Sequence, residues 1–522
     1  MPGTRPHHRR APAIVATLAV LIALLAACAP AADRPADTLR VAIAEEVGVL
    51  DPQAFTGQFH ALDLIYEPLV SYSGSGAIEP ALAESWQTSP DGLTVTFRLR
   101  AGVRFHDGTV FDAAAAKLNL DRWVGEPEYS FLVAARVIES VVAADDRTLV
   151  LHLSEPYPPL LTELTLVRPV RFASPRSLAE EDFERPVGTG PWVFESADAT
   201  GATFVRNDDY WGRLPSLQRV ELVTVPDSQT RLSALRTGEV DLIGGAYLSP
   251  LSSTEAAELA ADPELDLLTG EADTTVSLTF TGTGPAAERA VREAFSLTLD
   301  VAGLNTALYD GADSLPHGFF PASVPHSGTA VVRELDPGRA GAVLDQAGWR
   351  LDGDVRRRDG AELVLDLLVT SDPVHGAADS VLVGQAVQDA MARIGVGVRL
   401  RVVDGATHTD ALAAGEHDLT FTTTYGAPYD PSGTALTYLS SAADTPVWAD
   451  PTLDVLLGTA LAATEDAELD GAWQAVYDHL EAEIAFVPLT SPPRRYAVRP
   501  GVEGFEVPAH EYRLDLTDVT VG

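Results

Sequence analysis

The chain has 522 residues, a formal net charge of −39 and a hydrophobic share of 46%. That length supports two or three domains with large cores and excludes a single small module. Acidity on this scale excludes nucleic acid and anionic lipid surfaces as partners for the body of the protein.

In chain order the first feature is an export signal. Arg5, Arg9 and Arg10 supply its positive segment, Ala11 to Ala27 its apolar run, and small residues precede Cys28, the only cysteine. Leu25-Ala26-Ala27-Cys28 resembles the lipobox of bacterial lipoproteins. That resemblance implies that residues 1–27 are a removed signal peptide and that Cys28 carries lipid. The protein is then exported and anchored to the outer face of the cell membrane. The alternative is an uncleaved membrane helix, although the run is at the short limit for a span and no charged stop-transfer cluster follows. Residues 28–37, rich in Ala, Pro and Asp, read as a tether. With no second cysteine the exported part has no internal disulfide and relies on its core. Lys117 is the only lysine, so a bound anion would have to be held by a local arginine against an adverse overall field.

Leu39 to Ala44 is the first predicted strand. Leu93, Val95, Phe97 and Leu99 alternate with polar residues, the period of a half-buried strand, and Asp107-Gly108 marks a turn. Asp112 is placed to cap a helix reaching about Trp123. A further alternating strand runs Leu149, Leu151, Leu153. Leu363 to Val369 leads into a helix with Leu382, Ala386, Val387, Ala390 and Ile394 on one face, then a strand from Val396 to Val403. This β-α-β pattern predicts a mainly parallel α/β lobe.

The sequence lacks the residues that hydrolytic or phosphoryl chemistry requires. There is no Gly-x-Ser-x-Gly elbow, no His-Glu-x-x-His zinc helix and no phosphate loop ending in Lys-Ser or Lys-Thr. With 75 acidic residues, a pair of neighbouring carboxylates carries little information. No enzyme and no cofactor are expected.

A set of short motifs runs in order along the chain: Tyr66-Glu67-Pro68-Leu69, Pro80 to Trp86 with Asp91-Gly92, and Phe105-His106-Asp107-Gly108. Gly188-Thr189-Gly190-Pro191-Trp192, Arg206-Asn207 with Tyr210-Trp211-Gly212, Arg231 with Gly238 to Asp241, and Asp336-Pro337 with Ala347-Gly348-Trp349 complete it. In this order and spacing they resemble the extracellular solute-binding proteins of the peptide/nickel family (family 5), which feed ABC importers. The resemblance implies an α/β, two-lobed, periplasmic-binding-protein-like fold with an additional subdomain in lobe I, of the cluster C type. Lobe I would span 38–275 and 490–522, with the inserted subdomain at about 76–185, and lobe II 276–489. Such a protein acts as a monomer with ABC permease and ATPase subunits as partners. Independently of the resemblance, Gly188 to Trp192 reads as a tight turn with the tryptophan packed beneath it.

Within the family the chain looks most like the nickel-importer binding proteins, through Tyr157 to Leu164, Arg168-Pro169-Val170-Arg171-Phe172 and Tyr425 to Pro431. That likeness implies that Arg168 meets a carboxylate of a metal's small chelator and that Tyr425 and Tyr429 line the cavity. A planar guanidinium grips a carboxylate bidentately in a desolvated cleft. A structural salt bridge for Arg168 and core packing for the two tyrosines stay open as alternatives. Phe59 aligns where those relatives carry a methionine, and Phe131 with their ligand-facing tryptophan. The loop 441–446, where their histidine ligand lies, holds no histidine. His60 is the nearest substitute as a metal ligand, and none is otherwise expected. Peptide-binding relatives carry an aspartate where Ala427 stands, so a di- or oligopeptide ranks behind a nickel or other transition-metal chelate.

Overall fold

In the computed structural model, the described residues are 37–54, 57–74, 76–130, 132–180, 183–309, 311, 313–331, 333–370, 379–426, 428–443 and 446–522. The signal, Cys28, Phe131 and Ala427 lie outside them. None of the described helices is long and apolar enough to cross a membrane.

Among the described residues, three larger sheets organise the molecule. The first has seven strands in the spatial order Asp266–Thr269, Arg495–Val498, Leu242–Gly244, Thr38–Ile43, Arg219–Thr224, Gly201–Arg206 and Trp192–Asp198. Its first strand, predicted at 39–44, pairs in parallel with Arg219–Thr224. The second sheet has five strands, ordered Gly397–Val403, Val364–Thr370, Leu419–Thr423, Val276–Phe280 and Phe486–Thr490. The third is a four-stranded antiparallel sheet spanning Ala83–Thr88, Thr94–Leu99, Ile138–Asp145 and Thr148–Leu153. Each sheet packs a core of its own: Leu222 and Phe204 on the first, Leu367 and Val387 on the second, Phe97, Phe111 and Trp123 on the third. Burial of such side chains is worth about 1.5–3 kcal/mol apiece before entropy is counted.

Several sequence expectations hold in detail. Asp112 caps the helix Ala113–Leu120, its carboxylate accepting from Ala115 N at 2.8 Å. Gly108 stands at φ 83° in its turn. Gly190 N donates to Ile65 O at 2.9 Å, and a Cβ at Gly188 would come within 2.1 Å of the same oxygen. This close approach demands glycine, and Trp192 beside it is 1% exposed.

Two expectations are corrected. The β-α-β unit is present, with Val364–Thr370 parallel to Gly397–Val403, but its sheet is mixed, because Val276–Phe280 runs antiparallel to both its neighbours. The connecting helix Ser380–Ala392 buries Val383, Val387 and Met391, while Leu382 is 43% exposed. The apolar stripe is wide enough on this helix that the assumed face was one position out of phase.

The chain crosses between the first and second sheets twice. One crossover runs 270–275, after Asp266–Thr269, and the other 491–494, before Arg495–Val498. Thr275 and Ser491 hydrogen-bond side chain to side chain at 3.0 Å between them.

Candidate functional site

The wall on the side of the first sheet begins at the helix Phe59–Ile65. Gln58 caps it, accepting from Ala61 N at 2.8 Å, and its amide donates to Tyr247 O at 3.0 Å and meets His60 Nδ1 at 2.9 Å. One side chain therefore fixes the helix start, the Tyr247 loop and the buried histidine. Phe59 stands edge-on to Tyr247 and Tyr512, with centroids at 5.5 and 5.0 Å, while Tyr247 and Tyr512 stack at 4.7 Å.

Arg168 lies on this aromatic platform. Its guanidinium carbon is 3.8 Å from the centroid of Phe59, and Nη1 donates to Gly57 O at 3.1 Å. Burial pushes the Arg168 pKa down, and the oxygens of Tyr429, Tyr512 and Tyr247 oppose the shift. An arginine stays charged through such perturbation. Arg171, three residues on, is built into the frame. It pairs with Asp63 at 3.1 Å and donates to Thr165 O and Leu166 O at 3.0 and 2.8 Å. Of the two arginines in the motif, the first reaches the cavity and the second holds the irregular segment that presents it.

The facing wall is the segment from Tyr425 to Pro431, with the helix Ser432–Tyr438. Asp430 organises it by accepting from Gly426 N at 2.6 Å and from the Thr434 hydroxyl, whose oxygen accepts from Tyr425 N at 2.9 Å. Burial pushes the Asp430 carboxyl up to about 7. Tyr429 and Tyr512 lie 4.7 Å apart across the cleft, and Tyr512 donates its hydroxyl to Tyr425 O at 3.0 Å. The two walls therefore touch, and they enclose a cavity of about 260 Å³ lined by Phe59, Arg168, Tyr247, Tyr425, Tyr429 and Tyr512 among others. Burial raises the Tyr429 pKa to about 12 and those of Tyr247 and Tyr512 upward as well, so the phenols remain neutral. The lining thus sets the Arg168 guanidinium against largely aromatic walls, with the carboxyl of Glu163 also at the cavity edge and its pKa raised by burial.

A second cavity of about 480 Å³ shares the walls formed by Pro159, Thr162, Pro428 and Ser432 and is bounded beyond them by Tyr72, Tyr157 and Trp473.

The structure thus brings together Phe59, Arg168, Tyr425 and Tyr429. Leu132, the neighbour of Phe131, lines the same cavity. His60 is not among its lining residues. It is fully buried, with its pKa lowered to about 4 by burial, and among the described residues no three or more His, Cys, Asp or Glu are grouped to hold a metal ion. Sequence reasoning missed Tyr247 and Tyr512. Neither stands in a recognisable motif, and only the return of the chain's last segment to the first sheet places Tyr512 beside Phe59.

The model of bacterial extracellular solute-binding proteins, family 5, matches residues 77–446. The nickel-binding periplasmic protein of Escherichia coli K12 is 31% identical over 87% of this chain and 89% of its own length. The glutathione-binding protein GsiB of Pectobacterium atrosepticum is 28% identical over 81% of this chain and 82% of its own. The crystal structure of NikA from Brucella suis in complex with Fe(III)-EDTA superposes with a TM-score of 0.87 at 29% identity, covering 93% of this chain and all of that one. Such proteins deliver solutes to ABC importers and are not enzymes, and this chain belongs to the bacterial extracellular solute-binding proteins of family 5.

Proposed function

We propose that this receptor captures a small carboxylate-bearing solute, a nickel or other transition-metal chelate whose own atoms satisfy the metal, and hands it to the permease and ATPase subunits of its importer. The observation that carries this reading is the Arg168 guanidinium, seated on Phe59 and facing a cavity that both lobes line. A carboxylate there gains a charge-assisted, two-pronged partner in a desolvated setting. The chelator must bring the metal's ligands, since the cavity's lining residues include no histidine. Closure follows as a population shift, because a solute touching both walls favours the closed arrangement. Arg168→Ala should weaken binding of Fe(III)-EDTA or a nickel chelate more than about tenfold in calorimetry, as loss of a charged hydrogen-bond partner costs about 1.5–3 kcal/mol. Unchanged affinity would remove Arg168 from the site.

The second cavity favours a further reading, in which a peptide occupies both compartments. Glutathione displacing the chelate would support it.

The reading extends to a monomer divided at its two crossovers into lobe I, with the subdomain at about 76–185 inserted, and lobe II, and tethered through lipid on Cys28. Cys28→Ser should shift the protein from the membrane fraction to the soluble one, and unchanged fractionation would end the anchor.

A further inference from the structure

The two crossovers meet at a charge arrangement that solute binding does not use. Asp273 lies on the first and Arg494 on the second, and Arg494 Nη1 is 3.9 Å from Asp273 Oδ2. Both groups are buried, with side-chain exposures of 5% for Asp273 and 10% for Arg494. Neither Asp273 oxygen has a hydrogen-bond partner, which is rare for a buried carboxylate and calls for a reason. Arg494 also donates to backbone, with Nε reaching Glu271 O at 3.0 Å and the same Nη1 reaching Pro508 O.

Glu511, 8% exposed, adds a second acid to the same arginine, and Asp430 approaches from the lobe II wall. Tyr72 and Tyr496, raised by burial, face the same acids, Tyr247 and Tyr512 lie near Glu511, and His510, whose pKa burial lowers to about 3, stands among Arg513, Arg171 and His60. Asp273 lies beside the Arg494 guanidinium, the Glu511 segment is held to the same guanidinium through Pro508 O, and Asp430 adds its charge on the side of Asp273, all in a buried setting. Two ionised carboxylates beside a single guanidinium repel each other at low dielectric, and a proton on one of them removes the excess charge. Burial raises the Asp273 pKa to about 6 against the pull of Arg494, and burial followed by the charge of Asp273 raises that of Glu511.

We propose that Asp273 and Glu511 share a proton at the paired crossovers, so that the closed clamp holds one more proton than the open one and loosens as that proton is lost. The position makes the link mechanical. Rotation of the lobes has to pass through 270–275 and 491–494, so opening changes the spacing of Asp273 from Arg494 and admits water to the acids. In water their pKa values fall back toward the ordinary carboxylate range. A group whose pKa is higher in the closed form favours that form below the raised value and stops doing so as pH rises through it. Affinity for a solute that requires closure therefore falls with rising pH, whatever the solute is.

Two measurements on the full protein test this. Infrared spectra taken between about pH 5 and 8 should show a buried protonated carboxyl persisting above the ordinary carboxylate range, and Asp273→Asn or Glu511→Gln should delete or shift it. Spectra unchanged by both substitutions would overturn the shared proton. Calorimetry with Fe(III)-EDTA should show affinity dropping several-fold from about pH 5.5 to 7, by at most tenfold per pH unit for one proton, with the slope flattened in Asp273→Asn. A flat wild-type profile, or an unaltered slope in the variant, would sink the coupling to closure. Should Fe(III)-EDTA not bind at all, the chelate reading falls. The coupling is then read from the distance between spin labels on the two lobes across the same pH range, where an invariant distance overturns it.

Discussion

The solute cavity and the crossover cluster each concentrate charge away from water, and they do so with opposite signs. In the cavity a guanidinium lies on Phe59 among neutral phenols, and at the crossovers two carboxylates, Asp273 and Glu511, share Arg494. The cavity is open to a solute, so in the proposed reading its cation serves as a recognition element. The cluster is sealed, so its uncompensated anions can be balanced only by a proton. The same physical problem, a charge held in a poor dielectric, thus serves binding in one region and conformational balance in the other on the two readings proposed.

The largest test of that contrast is Arg494→Met. Removing the one cation leaves Asp273 and Glu511 buried beside each other, and breaking a buried pair costs about 3–5 kcal/mol. Urea denaturation should show that loss at neutral pH and a smaller one in acid, where both carboxyls are already protonated. The sign follows from the raised pKa values: protons bound by the folded state stabilise it at low pH, and the benefit goes as pH rises. Equal losses at both pH values would mean that the acids carry no charge penalty. Arg168→Ala, in contrast, should cut solute affinity and shift the denaturation midpoint less than Arg494→Met does, because its guanidinium faces the cavity.

Legibility in the sequence followed the same division. Arg168, Tyr425 and Tyr429 sit in local motifs, while Phe59 was reached by alignment at a position where relatives carry a methionine; a motif survives where residues a few positions apart build one wall. The strand at 38–43, the Asp112 cap and the Gly188–Trp192 turn were readable for a related reason: alternation, capping and close approach are all written within about ten residues. Tyr247, Tyr512, Asp273 and Arg494 were not readable. Each acquires meaning only through a partner more than a hundred residues away in the chain, and among 75 acids nothing distinguishes Asp273 before folding buries it. The mixed direction of the second sheet was hidden likewise, since Val276–Phe280 joins it from far upstream.

The smallest expected effect sharpens the comparison most finely. Phe59 gives Arg168 a flat, apolar seat at 3.8 Å and itself stands edge-on to the stacked pair Tyr247 and Tyr512. Leucine at this position keeps most of the apolar volume and removes the ring face. A partly desolvated cation–π contact is worth about 0.5–2 kcal/mol, and part of that is regained when the guanidinium meets a solute carboxylate instead. Phe59→Leu should therefore weaken Fe(III)-EDTA binding only about two- to fivefold, with most of the loss in dissociation rate, because the guanidinium is less firmly aimed. Stopped-flow release of the chelate would measure it. A loss as large as that of Arg168→Ala would mean that the ring positions the arginine outright, whereas no loss would mean that Gly57 O alone fixes the fork.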